Sequence, residues 1–141
     1  MAFKYGSREF ADEILRKQYE DTELQAKLKG LTFNLILVGT DAPGNVDWEY
    51  KIILEKGRFV SCDVDIQPAP SKLRDESFDK KRFDAKVISD HHTLYSLVTG
   101  KIDAIEVLQK VKVVGDFGKF ISQLKGFTNF IQFLGTFDIE P

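Results

Sequence analysis

The chain has 141 residues, 43 % of them hydrophobic and 30 % charged, with a formal net charge of -2. A chain of this size is expected to form one domain, residues 1–141, with a core of its own. The near-even charge gives no footprint for nucleic acid or an anionic membrane, and the single cysteine, Cys62, excludes an internal disulfide and a multi-cysteine metal site.

Met1-Ala2-Phe3-Lys4-Tyr5 carries no signal-peptide apolar region. No stretch approaches the roughly 20 apolar residues of a membrane span. No membrane insertion is expected, and the cytoplasm is the expected location.

Ser7 to Gly30 is predicted helical. Ser7 is placed as an N-cap, and Phe10, Ala11, Ile14 and Leu15 recur at helical spacing. Thr22-Glu23-Leu24-Gln25 has the form of a second capping box. Leu24 and Leu28 continue the apolar face and Gly30 is a stop, so the segment is one bent helix or two short ones.

Period-two runs follow. Leu31, Phe33, Leu35 and Leu37 form one face of a strand, opposite Thr32, Asn34, Ile36 and Val38. Asp41 to Asn45 is turn chemistry. Trp48, Tyr50, Ile52 and Leu54 are the inward row of a second strand, with Glu49 and Lys51 outward. Glu55 to Arg58 closes a hairpin in which Gly57 can take a positive φ. Val60, Cys62, Val64 and Ile66 are then the inward row of a third strand, completing a meander.

Gln67 to Lys81 breaks the rhythm with Pro68, Pro70 and many charges. It is read as a solvated crossover to a non-adjacent strand, anchored by Phe78. Phe83, Ala85 and Val87 make a fourth alternating row. Ser89-Asp90 opens a helix with Leu94, Leu97 and Val98 on one face, ending at Gly100. Ile102 to Leu108 is a short helical piece and Lys110 to Gly115 a fifth strand. Asp116 caps a helix carrying Phe117, Phe120, Ile121 and Leu124, which Gly126 ends. Phe127, Phe130, Ile131 and Leu134 repeat that pattern.

Catalytic motifs are scarce. The two histidines, His91 and His92, are adjacent and point about 100° apart on a helix, so they do not share a metal readily. Asp90 beside them is explained as a cap. There is no Gly-x-Ser-x-Gly elbow, phosphate loop or dinucleotide fingerprint. Cys62 reads as a small buried hydrophobe, and Asp63 and Asp65 as an exposed polar face. No catalytic residue, metal or cofactor is expected. The concentration of aromatics is the prominent feature: of 12 Phe, six (Phe117, Phe120, Phe127, Phe130, Phe133 and Phe137) follow residue 116. Each contributes about 1.5–3 kcal/mol when buried, so sheet, partner or ligand must cover them. Phe117 and Phe120 are assigned to the core, and the last three, Phe130, Phe133 and Phe137, to a cavity wall or lid.

The ordered set Val87-Ile88-Ser89-Asp90, Leu94 to Asp103 with Thr99-Gly100-Lys101, and Lys110-Val111-Lys112-Val113-Val114-Gly115-Asp116 resembles the C-terminal half of sterol carrier protein 2-like domains. The N-terminal helix, meander and crossover agree in order, so the likeness spans nearly the whole chain. Gln109 stands where many members have glycine, and the crossover is longer than in short members. The resemblance implies an α+β fold: a five-stranded, largely antiparallel sheet with helices on one face, enclosing an apolar cavity without catalytic residues. The family binds fatty acyl chains, acyl-coenzyme A, sterols or other lipids.

The wall positions carried over from the resemblance are inward strand residues, Phe33, Leu35, Tyr50, Ile52, Val60, Cys62 and Val64, with Leu94 of the central helix. The C-terminal helices add Phe117, Phe120, Ile121, Phe127, Phe130, Ile131, Phe133 and Leu134. The leading expectation is non-catalytic binding or transfer of a lipid-like small molecule, with the C-terminal helix gating access. The alternative is a protein-interaction or accessory domain, its Phe-rich end forming a subunit interface, as in a homodimer. An acyl-thioester enzyme is the third reading, and Cys62, His91 and His92 are the only groups it has to draw on.

Overall fold

The computed structural model describes residues 2–20, 22–28 and 31–141, with the side chains of residues 19, 24, 25, 27 and 104 left aside. The predicted N-terminal helix is two: α1 (Arg8–Lys17) and α2 (Thr22–Leu28), joined through a 3-10 turn at Gln18–Glu20. Ser7 caps α1 by accepting from the Phe10 N–H. Thr22 lies inside the first turn of α2. The Leu24 side chain and the stop at Gly30 fall outside the described residues.

The meander is β2 (Phe33–Ala42), β3 (Val46–Glu55) and β4 (Arg58–Pro68). Lys56 and Gly57 both take positive φ, 51° and 80°, at the β3–β4 hairpin, which gives the turn twist that paired strands favour. After the crossover come β5 (Ala85–Asp90), α3 (His91–Val98), α4 (Ala104–Leu108) and β6 (Lys112–Gly115). Then follow α5 (Phe117–Ser122) and α6 (Leu124–Leu134). The Asp90 and Asp116 carboxylates cap α3 and α5, and Ser89 is still strand. Two short strands missed in the sequence, β1 (Phe3–Lys4) and β7 (Ile139–Glu140), pair in parallel and tie the chain ends together.

The main sheet is five-stranded in the order β4-β3-β2-β5-β6. It is mixed: β2 and β5 run parallel, and the other neighbours are antiparallel. The parallel pair requires the long crossover, because a hairpin cannot join parallel strands. On the front face Phe33, Leu35, Tyr50, Ile52, Leu54, Ala85 and Val87 join one large core with Phe10, Ile14, Leu94, Phe120, Phe127 and Phe130.

Several expectations need correction. Most of the crossover is exposed, as read, but a 3-10 turn at Lys72–Arg74 pins its middle to the sheet. Leu73 and Phe83 pack with Ile36 and Val38 in a second core on the back face, with Phe78 beside them. Phe83 therefore faces away from Ala85 and Val87, because β5 begins only at Ala85 and the alternation does not extend back through the turn. Glu49 points to the back as read, yet it is 4 % exposed, because the crossover covers it. Gly126 does not end a helix; it lies within α6, where an added Cβ would stand 3.2 Å from the Leu31 side chain. Phe117 is 53 % exposed rather than in the core.

Val60 is also misplaced by alternation. Ile53 pairs with Ser61 but Leu54 pairs with Phe59, so a β-bulge inserts Val60 as an extra residue. Phe59 takes the inward place at 1 % exposure and Val60 is 51 % exposed. Ile66, at the far end of the same row, is 50 % exposed.

Candidate functional site

Between the front of the sheet and the helices lies an apolar pocket of about 110 Å³. Of the expected wall, Leu35, Tyr50 and Ile52 supply the sheet side. Leu94, Phe120, Phe127, Phe130, Ile131 and Leu134 supply the helix side. Their spacing explains this: Phe127, Phe130, Ile131 and Leu134 share one stripe of α6.

The remaining expected residues stand elsewhere. Phe33 is fully buried behind the wall, its ring 5.0 Å from Phe127 and 6.2 Å from Phe120. Phe133 is buried against Phe130 and Phe137, with ring centroids 6.3 and 5.1 Å away. Cys62 is buried and Val64 half-buried in the front core, and neither lines the pocket. Val60, Phe117 and Ile121 turn to solvent, at 51, 53 and 40 % exposure.

The sequence reading missed a further part of the lining. Phe10 and Ile14 of α1, Leu37 and Leu54 of the sheet, and Leu97 and Val98 of α3 all line the pocket. Each sits on a stripe or row already recognised as apolar, so the signal was present without a partner to aim it at. Val87 and Leu124 behave likewise, and Val107, Leu108 and Val111, for which no apolar face was read, complete the lining. Phe59 was hidden by the bulge, and Tyr5 by the brevity of β1.

Among the described lining residues, the only polar side-chain atoms are the Tyr5 and Tyr50 hydroxyls. Tyr50 donates to the Ser7 carbonyl. Burial pushes both phenols well above their ordinary range, so both stay protonated at neutral pH. Burial, then the nearby Asp63 and Asp12 carboxylates, pushes the Cys62 thiol up to about 12, which keeps it a thiol rather than a nucleophilic thiolate.

His91 is buried outside the pocket and accepts a hydrogen bond from Trp48 Nε1 at 2.9 Å, while His92 is exposed. Among the described residues no cluster of three or more His, Cys, Asp or Glu is placed to hold a metal. Among them, no helix is long and apolar enough to cross a membrane.

No protein-family model matches the sequence, and no curated protein matches it either. Solved structures do match in fold. The crystal structure of sterol carrier protein 2 superposes with a TM-score of 0.71 at 13 % identity, covering 95 % of this chain and 99 % of that one. The solution structure of a conserved hypothetical protein from Thermus thermophilus, described as possibly a sterol carrier protein, gives a TM-score of 0.71 at 11 % identity, over 99 % of this chain and 94 % of that one. The chain has the α+β fold of sterol carrier protein 2.

Proposed function

We propose that the chain binds and carries a slender lipid-like molecule, its apolar part held between sheet and helices, and that it performs no chemistry on it. The observation that carries this reading is the lining, which is hydrocarbon and aromatic ring except for two phenol hydroxyls, one of them already bonded to backbone. Such a wall binds by removing apolar surface from water, at roughly 25 cal/mol per Å². It offers little to orient a polar group. The likeness in fold to a protein named sterol carrier protein 2 supports the same reading.

The volume narrows the ligand class. About 110 Å³ is below the roughly 300–1,000 Å³ typical of pockets for drug-sized ligands. A flexible acyl chain threads such a space as Phe120, Phe127 and Phe130 change rotamer, whereas a rigid ring system needs the walls displaced together. Protein purified without detergent is expected to show a stoichiometric acyl lipid by native mass spectrometry. Leu94→Trp, which fills the pocket from α3, is expected to weaken binding of a fluorescent fatty acid at least about tenfold with the circular dichroism unchanged. Undiminished affinity in that variant overturns the site.

One observation favours a second reading. Phe117 and Ile121, one helical turn apart on α5, are 53 and 40 % exposed. They make an interface with a second copy or another protein the alternative role of the Phe-rich end. Light scattering across a range of concentrations tests it. A dimer abolished by Phe117→Ser with Ile121→Ser supports it, and a strict monomer carrying lipid removes it.

A further inference from the structure

The chain ends are tied together over a single buried histidine. Phe3 and Tyr5 donate their backbone N–H groups to Asp138 and Glu140, at 2.8 and 2.9 Å, as β1 pairs with β7. His91, the first residue of α3, is 3 % exposed. Its neighbours hold the clasp. Tyr5 meets both His91 and Trp48 edge-on at 5.5 Å. Tyr95 stacks on His91 with the rings 4° from parallel, and its hydroxyl donates to the Ile139 carbonyl of β7.

The tautomer of His91 follows from its partner. An indole nitrogen only donates, so Nδ1, which accepts from Trp48, is bare and the neutral ring keeps its proton on Nε2. Nε2 is buried without a partner among the described residues. Trp48 has no room to turn away: a Cβ added at Gly39 or Gly6 would stand 2.2 or 2.5 Å from its ring.

We propose that His91 is an acid-sensitive pin, and that protonation of Nδ1 expels the Trp48 hydrogen bond and opens the β1–β7 clasp. In the imidazolium both ring nitrogens are donors, so Nδ1–H confronts the Trp48 N–H and Nε2–H stays unpaired. The buried charge gains little from its surroundings. Lys4 on β1 and His92 on α3 oppose it, and Trp48 on β3, Tyr5 and Tyr95 are uncharged. Asp90 favours it, but that carboxylate is already bonded to the Thr93 N–H and hydroxyl. On the far strand, β7 contributes Glu140, preceded by Asp138.

Burial, then Lys4, holds the folded imidazole below its ordinary range. The opened form therefore takes the proton first, and the clasp weakens as pH falls below about 6.5, by at most about tenfold in the opening constant per pH unit. Tyr5, Phe10 and Ile14 line one side of the apolar pocket, so an open clasp exposes it. That last consequence, release of a bound lipid in mild acid, rests on the carrier reading; the pin does not.

Trp48 is the only tryptophan, so its fluorescence reports on the contact. Titration of the full chain from about pH 8 to about pH 5 is expected to show a one-proton change in emission below the ordinary histidine range. Over the same range the hydrogen-exchange protection of the Phe3 and Tyr5 amides falls. His91→Asn, whose oxygen takes the place of Nδ1, abolishes both changes, and His92→Asn retains them. A flat profile in the native sequence, or the same transition in His91→Asn, overturns the proposal. Should His91→Asn fail to fold, the His91 imidazole titration followed by NMR in the native sequence decides. A midpoint matching the loss of amide protection supports the pin, and a separate midpoint overturns it. None of these measurements involves a lipid, so failure of the pin and failure of the carrier reading are distinguishable.

Discussion

The front of the sheet is covered by helices that meet it through Leu35, Tyr50, Ile52 and Val87 against Leu94, Phe120, Phe127 and Phe130, and a pocket is left between them. The back is covered by the crossover, which meets a small apolar cluster and is tied down by charge. There Asp47 accepts from the Ser71 N–H and hydroxyl, from Arg74 Nε and Nη2, and from the Asp41 N–H. Lys86 adds bonds to the Leu73 and Glu76 carbonyls. Apolar contacts have no fixed direction, so side chains on the front can re-pack around a guest. Hydrogen bonds to a buried carboxylate have strict geometry, so the back is held in one arrangement. One sheet thus has an adaptable face and a clamped one.

The clamp gives the largest expected effect. Asp47→Ala removes the buried acceptor of five hydrogen bonds and leaves Arg74 only its pair with Asp41, and a broken buried pair costs about 3–5 kcal/mol. The loss is expected in urea unfolding monitored by Trp48 fluorescence. Burial by itself raises the Asp47 pKa, but the bonds from Arg74, then Ser71 and Asp41, more than reverse this and hold it well below the carboxylate range. A depressed carboxylate stabilises above the unfolded value, and that contribution is lost as pH falls through the folded one. The urea midpoint of the native sequence should therefore drop as pH falls below about 4, and the drop should be smaller in Asp47→Ala.

A second expected effect bears on how much of this was legible in the sequence. Alternation placed Trp48, Tyr50, Ile52 and Leu54 on the front correctly, because a paired strand keeps its period of two. The same rule failed at Val60, because a bulge is a property of two strands together and leaves no mark in one. Phe59→Ala is expected to cost about 3–5 kcal/mol, while Val60→Ala stays within about 0.5 kcal/mol; the reverse order refutes the register. Glu49 was read onto the right face but into solvent, since nothing local says that a charged, Pro-containing crossover will lie over it. Gly126 was read as a stop when its missing side chain admits Leu31 against a continuous helix. The run from Asp90 through Asp116 was legible because caps and glycines mark its ends. The β1–β7 clasp was not, since two-residue strands carry no period.

The smallest effect separates the two faces most directly. Val38 and Val87 are both buried, at 0 and 5 % exposure, on neighbouring strands. Val38 faces the back cluster with Ile36, Leu73 and Phe83, whereas Val87 lines the front pocket. Adding one methylene at Val38 presses against a packed and clamped layer, so Val38→Leu is expected to destabilise by about 1–3 kcal/mol. The same group at Val87 has space in front of it. Val87→Leu is expected to change stability by less than about 1 kcal/mol in either direction, since filled volume offsets a changed rotamer. It should also weaken fatty-acid binding in the fluorescence assay, while Val38→Leu leaves the affinity of the folded fraction unchanged. Equal destabilisation by the two substitutions would mean that the front is as tightly packed as the back and has no room to accept a guest.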